Sequence, residues 1–423
     1  MTGFAQDART IWLYDDAKAR AFEPYALTRP ASAMLAGTRL VRDRWATVFQ
    51  GTETVALTSD HLMEGDGPTG RGEPRTEIPA GSVIVNARCI PVSGILEFDD
   101  ASASGAAVWR CASRVAAVRT SRMLAVSEFA DGSRSLEELA TSGVASGEVA
   151  GWWVDDPWDY LRWLPAQLDD DIMRVARGAL GGSAIITNFE PPPDHAVVLG
   201  EYPVCVLSGV TIEPHVVLDA TAGPILIGRR AVIQAFTRLV GPCFVGEGST
   251  IVGGEIRGSA IGPVCKVRGE VSSSIFLGYA NKGHEGFVGH SCIGEWANLG
   301  AGTTTSNLKN TYGSVTLHTP TGVRETGMQF LGTLFGDHAK TGIGLRLTTG
   351  TILGAAANIY GAAMPPKLVA PFAWGDAPPY GTWDIEKFLV VAERMMARRN
   401  VAMTPAMRQS MVRAYERRWS VPA

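Results

Sequence analysis

One histidine of this 423-residue chain is displayed between glycines, in the run Lys282-Gly283-His284-Glu285-Gly286. Glycine lets the backbone take unusual turns and lets ligand atoms approach closely. A histidine displayed in this way can titrate near neutral pH and act as a general base. The alternative is an exposed histidine with a structural role, which is the commoner outcome for a lone histidine in a loop. The residues around the loop favour the general base.

A six-residue repeat surrounds this loop. Apolar residues recur at this period between residues 200 and 361, for example at Ile227, Ile233, Leu239 and Val245, and several are followed directly by glycine. Such a repeat predicts a β-helix, in which each six-residue unit makes one short strand and one turn. A glycine-rich α/β segment or β-sandwich does not predict this spacing. Two stretches, residues 278–287 and 303–329, break the period and are expected to form loops on the outside of the coils.

Residues 282–303 read KGHEGFVGHSCIGEWANLGAGT and match the frame G-H-x-x-[YF]-[LV]-G-x-x-x-I-G-x-x-x-N-[IL]-G-A-G-T without gaps. On this run the chain resembles the acetyltransferase domain of the bifunctional UDP-N-acetylglucosamine pyrophosphorylase/glucosamine-1-phosphate N-acetyltransferase family (GlmU-like). The longer run GYANKGHEGF…IGEWANLGAGTTTSNLKNTYG is similar to the subgroup labelled as sugar nucleotidyltransferases. The resemblance covers residues 195–375 strongly and the N-terminal part weakly.

The resemblance implies a left-handed parallel β-helix that forms a homotrimer, with acetyl-CoA or another acyl-CoA as co-substrate in a cleft between subunits. His284 falls on the family's catalytic base, which takes a proton from the sugar amine. Ala301 falls where a backbone N–H stabilises the oxyanion. Asn298 and Asn307 match positions that hold base, sugar or acetyl group, and Phe287 stands where the family has a tyrosine that contacts sugar phosphate.

The chain also departs from that family. Phe287 lacks the tyrosine hydroxyl, and a family lysine that grips sugar phosphate falls on the serine run 272–274. The missing positive charge could come from any of four basic residues, among which the sequence does not choose: Lys266, Arg268, Lys282 and Lys309. The acceptor sugar and the acyl group therefore stay open.

The N-terminal part has lost the residues expected of a nucleotidyl transfer site. Residues 22–45 are similar to the segment after the nucleotide loop of sugar nucleotidyltransferases, yet the preceding WLYDDAKARAF contains no glycine. Backbone amides that cradle phosphate and a carboxylate for magnesium are both needed for that chemistry. We expect a weak or inactive pyrophosphorylase that needs Mg²⁺ only if it is active. Asp15, Asp16, Arg29 and Arg88 could make a rebuilt site for a sugar nucleotide, or could be ordinary structural charges.

Composition sets the remaining expectations. A net charge of −4 and a pI near 6.0 argue against nucleic-acid partners, and no apolar run is long enough for a membrane span. The start, MTGFAQDARTIWLYDD, lacks the pattern of a secretory signal, so we expect a cytoplasmic protein. The six scattered cysteines are interpreted as small buried hydrophobes.

Three parts are predicted. Residues 1–190 form a divergent nucleotidyltransferase-like α/β domain, residues 195–375 the acyltransferase-like β-helix, and residues 376–423 a helical cap. Asp384 and Thr404 are the expected N-caps of the last two helices.

Three functions are kept as alternatives. The leading one is a GlmU-like transferase of UDP-N-acetylglucosamine or related nucleotide-sugar biosynthesis, which moves an acyl group from acyl-CoA to an amino-sugar phosphate or nucleotide sugar. The second is a sugar-1-phosphate nucleotidyltransferase acting through the N-terminal domain. The third is a non-catalytic trimeric scaffold that binds sugar nucleotides. The intact His284 loop favours the first.

Overall fold

A computed structural model describes residues 10–63, 75–94, 106–140, 145–178 and 189–421. It has an N-terminal α/β unit, a parallel β-helix of about ten turns over residues 197–375, and helices at the C-terminus. The predicted order of α/β domain, parallel β-helix and C-terminal helices is confirmed. In the described ranges, no helix is sufficiently long and apolar to cross a membrane.

The N-terminal unit is built on a mixed six-stranded sheet. Its strands are β1 (Thr10–Tyr14), β2 (Glu53–Leu57), β3 (Val83–Asn86), β4 (Ala107–Cys111), β5 (Arg114–Arg119) and β6 (Ala145–Glu148), in the spatial order β6-β4-β5-β3-β1-β2. The central strand β1 pairs in parallel with both β2 and β3. The carboxyl ends of these three strands therefore share one edge, where ligands bind in open α/β sheets.

Among the described residues of this unit are also short strand pairs and α-helices. The pairs are Leu35–Ala36 with Arg39–Leu40, Glu77–Ile78 with Leu124–Ala125, and Cys89–Pro91 with Gly151–Trp153. The helices are α1 (Val41–Val48), α2 (Asp60–Met63) and α3 (Asp159–Ala176). Helix α3 is amphipathic and buries Leu164, Leu168 and Ile172 completely.

The β-helix has three faces, each named here after one of its residues. The Asn298 face contains Thr211–Ile212, Val232–Ile233, Asn281–Lys282, Asn298–Leu299, Lys340–Thr341, Asn358–Ile359 and Ala373–Gly375. The Phe287 face contains Val197–Gly200, Val217–Ala220, Thr237–Val240, Phe287–Gly289, Thr304–Thr305 and Arg346–Leu347. Two long strands, Thr250–Arg257 and Lys266–Ser272, run round the corner between these faces.

The third face, the Cys292 face, is a ladder of nine parallel strands. They are Val204–Val206, Ile225–Ile227, Cys243–Val245, Ala260–Ile261, Ile275–Phe276, Cys292–Ile293, Thr333–Phe335, Thr351–Leu353 and Leu368–Val369. Inward side chains such as Ile227, Val245 and Ile293 stack in the fully buried interior column that the six-residue period predicts.

The N-terminal unit packs on the outer side of the Cys292 face. Side chains of α3 and outward side chains of this face, including Leu164, Leu168, Cys292 and Leu334, belong to one buried apolar cluster. The Tyr25 hydroxyl donates to the Cys292 carbonyl at 3.0 Å. The two units therefore share a core, and one face of the β-helix is closed to other partners.

The second break in the repeat forms a loop outside the coils, as expected, and this loop packs against α3. It contains a hairpin of Thr316–Thr319 with Gly322–Glu325. Val315 and Leu317 are fully buried in the shared core, and Arg162 donates to the Thr326 carbonyl at 2.8 Å. Spacing alone does not reveal that this loop carries its own apolar side chains and docks on α3.

The chain ends in helices α4 (Ile385–Ala397) and α5 (Pro405–Arg417), which cover one end of the coils through a cluster containing Phe372 and Phe388. The N-caps are confirmed, because Asp384 accepts from the Lys387 amide and Thr404 from the Met407 amide. All six cysteines are free and buried, as expected: Cys89, Cys111, Cys205, Cys243, Cys265 and Cys292.

Candidate active site

The His284 loop forms a corner between the Asn298 and Phe287 faces. Strands Asn281–Lys282 and Phe287–Gly289 flank it, and His284 at its tip is exposed. Gly286 has φ +135°, and a Cβ built there would lie 2.3 Å from the Thr303 carbonyl oxygen. Only glycine lets the chain pass so close to the next coil.

Ala301 occupies the same corner on the next coil. The Gly302 amide donates to the Glu285 carbonyl at 2.9 Å. Ala301 precedes Gly302 and His284 precedes Glu285, so Ala301 and His284 lie on directly stacked coils. Neighbouring strands are ~4.8 Å apart. The Ala301 N–H donates to no group among the described residues. An exposed imidazole and an available amide donor therefore share one corner.

Lys282 holds the backbone of this loop from inside. It pairs in register with the core residue Val267 and is 2% exposed, so a lysine occupies an inward position of the coil. Its Nζ donates to the His284 carbonyl at 2.6 Å. Burial lowers the pKa of Lys282 to about 8, with Glu285 opposing that effect and Arg268 adding to it.

The four candidate cations differ in their partners. Arg268 is committed to Glu285 at 2.8 Å and to the Val252 carbonyl at 2.7 Å. Lys282 is committed to the loop, and Lys309 donates to the Ser314 carbonyl inside the second break. Lys266 is exposed, and its ammonium contacts no polar group of the described residues. Its stem lies 3.5 Å from where a Cβ on Gly283 would be, next to the His284 loop.

Asn298 lies on one side of the corner. Its side-chain oxygen accepts from Asn281 Nδ2 at 2.7 Å, and it pairs in register with Asn281 and Lys340. Burial lowers the pKa of Lys340 to about 8. These residues make a polar row along the Asn298 face.

Phe287 and Asn307 lie together on the other side. A Cβ built on Gly289 would be 2.5 Å from both Asn307 Nδ2 and the Phe287 ring. Asn307 Nδ2 is 2.9 Å from His290 Nδ1, and the His290 ring stacks on Phe330. Burial lowers the pKa of His290. Sequence reasoning did not place His290 in a site, because only the fold brings it to Asn307.

One chain thus brings His284 and Ala301 together, with Asn298 and Asn307 on opposite sides of them.

A second candidate site lies at the carboxyl ends of β1 and β3. Asp15, directly after β1, is buried and accepts from Thr58 at 2.5 Å, and burial raises its pKa to about 7. Asp16 faces a cleft of about 320 Å³ that Asn86 and Arg88 also line. Arg88 donates to both Asp16 oxygens at 2.7–2.9 Å.

Arg29 lies apart from that cleft, between the N-terminal unit and the β-helix. Its guanidinium makes two hydrogen bonds of 2.9 Å to Asp337 and lies 3.0 Å from Glu295. With 8% exposure, it is a buried contact between the two units.

The N-terminal residues do not fit a magnesium ion. Within the described ranges, no group of three or more His, Cys, Asp or Glu side chains is placed to hold a metal. Asp16, the carboxylate at the end of β1 that faces the cleft, is instead held by the Arg88 guanidinium. The Arg88 guanidinium therefore already pairs with the carboxylate that faces the cleft.

The sequence of the N-terminal unit matches a known protein family. Residues 11–179 match the sugar nucleotidyl transferase family model. The match covers the N-terminal unit and none of the β-helix. It supports the weaker of the two resemblances seen in the sequence, and with it the prediction of a transferase.

A bifunctional sugar-1-phosphate nucleotidylyltransferase/acetyltransferase from Sulfurisphaera tokodaii is 34% identical over 95 residues, which span 22% of this chain and 24% of that protein. The matched part is about a quarter of the relative's length. Among solved structures, a UDP-N-acetylglucosamine acyltransferase from Campylobacter jejuni matches over 52% of this chain and 94% of its own, at 11% identity and a TM-score of 0.25.

Proposed function

We propose that this protein is a two-domain transferase whose β-helix moves an acyl group from an acyl-CoA to the amine of an amino-sugar phosphate or nucleotide sugar. The observation that supports it most is the exposed His284 beside the available Ala301 amide on stacked coils. A general base and an oxyanion donor are the two groups that acyl transfer to an amine requires.

In the proposed reaction, the His284 imidazole takes the proton of the sugar amine while the amine nitrogen bonds to the thioester carbonyl carbon. The Ala301 N–H stabilises the oxyanion that develops on that carbonyl. The C–S bond then breaks, and the thiolate of CoA leaves with the proton that His284 returns. Lys282 and Arg268 hold the loop, and Lys266 supplies the charge for the sugar phosphate.

The corner has room for the acyl donor. A Cβ built on Gly344, one coil beyond Ala301, would meet nothing within 4 Å, and the neighbouring Ile343 side chain is 78% exposed. The small residues Gly302 and Gly344 leave an open track along the corner, which suits an extended acyl-CoA arm. These residues fit the co-substrate that the family resemblance implies.

The same geometry supports the proposal of a homotrimer. Asn298 lies on one side of the His284 corner and Asn307 on the other, so one chain does not enclose an acceptor between them. The N-terminal unit covers the Cys292 face, which leaves the two faces flanking the corner for other copies. We propose that a neighbouring copy completes the cleft.

For the N-terminal unit we propose binding of a sugar nucleotide with weak turnover or none. The family match favours the second candidate function, nucleotidyl transfer. The pairing of Asp16 with Arg88 weighs against it, because that carboxylate is not available to magnesium. We also propose that the chain is divided into three domains, which comprise residues 1–190, 195–375 and 376–423.

The test is a pair of assays on the full-length protein with one panel of sugar 1-phosphates and nucleotide sugars. Release of free CoA from acetyl-CoA measures acyl transfer, and release of pyrophosphate from nucleoside triphosphates with magnesium measures nucleotidyl transfer. We expect CoA release with an amino sugar and little pyrophosphate. Strong pyrophosphate release without CoA release would favour the second candidate.

A further inference from the structure

The cleft of about 320 Å³ at the carboxyl ends of β1 and β3 is lined by more cationic than acidic side chains. Four cationic side chains line it: Lys18, Arg88, Arg114 and Arg134. The carboxylates that line it are Asp16 and Glu137. Asp16 is already neutralised by Arg88, and Glu137 accepts from the Val115 amide and Ser135. Arg134 pairs with Glu138 at 2.8 Å, which leaves Lys18 and Arg114 as the cations of the cleft not paired with these carboxylates.

One further carboxylate, Asp155, pairs with three cations of the cleft. It lies 3.2 Å from Lys18, 2.7 Å from Arg88 and 3.1 Å from Arg114, so three cations converge on one acidic group. Asp155 is 40% exposed and lies just before α3. Because it is exposed, an incoming anion can replace it without unfolding the unit.

Two of the cations around Asp155 are held in place by further contacts. The Arg114 guanidinium lies 3.7 Å above the centre of the Trp153 ring, and Arg88 donates to the Val154 carbonyl at 3.2 Å. Preorganised guanidinium groups suit phosphate oxygens, to which arginine makes paired hydrogen bonds. The geometry resembles a phosphate site in which a carboxylate takes the place of the phosphate.

We infer that this cleft binds a diphosphate group without a divalent metal, and that Asp155 is the internal competitor which the diphosphate displaces. Arg88 neutralises Asp16, the carboxylate that magnesium would otherwise bind, and Lys18 and Arg114 supply the exposed donors. This inference deepens the binding role proposed for the N-terminal unit and does not depend on acyl transfer.

The test is isothermal titration of the full-length protein with two probes, inorganic pyrophosphate and UDP-N-acetylglucosamine, each in EDTA and in magnesium. We expect binding in EDTA that magnesium does not strengthen. Lys18→Met and Arg114→Met should each weaken it about 3- to 10-fold, because each removes one partly exposed charge-assisted contact. Asp155→Asn should tighten binding several-fold. Arg122→Met removes an exposed arginine of the same unit outside the cleft and should change nothing.

The outcomes separate the possibilities. Binding of both probes with these effects supports a site for any diphosphate, and binding of pyrophosphate alone supports a site for the free anion. If the nucleotide sugar binds but the Lys18, Arg114 and Asp155 variants match the wild type, this inference is wrong while the binding role of the unit stands. If neither probe binds, or binding requires magnesium, the inference is overturned.

Discussion

Replacing Lys282 with methionine should leave the β-helix folded and disturb the position of its catalytic loop. The substitution keeps the length of an inward side chain and removes its charge. We expect Lys282→Met to fold and to lose acyl transfer by about 10- to 100-fold through misplacement of His284, with little change in the KM for acetyl-CoA.

The magnitude for stability comes from the buried ammonium. The fall of the Lys282 pKa from 10.5 to about 8 corresponds to about 3 kcal/mol, at ~1.36 kcal/mol per tenfold change in proton affinity. The pKa is lower in the folded protein, so between pH 8 and 10.5 the unfolded chain binds more protons. The free energy of unfolding therefore rises with pH across that window, by up to about 3 kcal/mol from this residue.

Urea unfolding at pH 7 and pH 9.5 measures this contribution. Lys340 has a similarly lowered pKa and contributes the same kind of rise, so the difference between wild type and Lys282→Met isolates Lys282. Lys387→Met, an exposed lysine on α4, is the matched control. The reasoning fails if Lys282→Met keeps the full alkaline rise, or if it retains the wild-type kcat.

Three further outcomes are expected. Arg29→Met or Asp337→Asn should each lower the free energy of unfolding by about 3–5 kcal/mol in urea titrations, because each leaves a buried charge or its hydrogen-bonding partner unpaired; a loss below 1 kcal/mol would mean that water replaces the pair. Gly286→Ala should lower the Tm well below that of Gly344→Ala, since both have positive φ but only the first Cβ would meet a carbonyl oxygen, at 2.3 Å from Thr303; equal Tm values would show that the loop relaxes. Light scattering should give the mass of a trimer at micromolar concentration, and a stable monomer would remove the intersubunit cleft.

The β-helix could be predicted from the sequence because its period is local. Each coil buries its apolar residues at fixed six-residue intervals. The spacing of Ile227 and Val245 in the sequence therefore identifies them as residues of the interior column. The caps Asp384 and Thr404 were predictable for the same reason, since a capping side chain bonds to an amide three residues ahead.

Contacts between distant segments could not be predicted in this way. Arg29 and Asp337 are 308 positions apart, and nothing in either local sequence identifies the other. The same holds for His290 and Asn307, which meet only because the coils stack. Lys282 did leave a signal, because it places a charge at an inward position of the repeat, and a buried charge there requires a partner.

The most direct test of the acyltransferase site compares His284→Ala with wild type for CoA release, using the acceptor that the panel identifies. We expect the variant to unfold at the wild-type Tm and to lose ~10²–10⁴-fold in turnover, as removal of a positioned general base implies. His318→Ala, in the hairpin of the second break, is the matched control and should retain full turnover. Wild-type turnover in His284→Ala would contradict the assignment of His284 as the base.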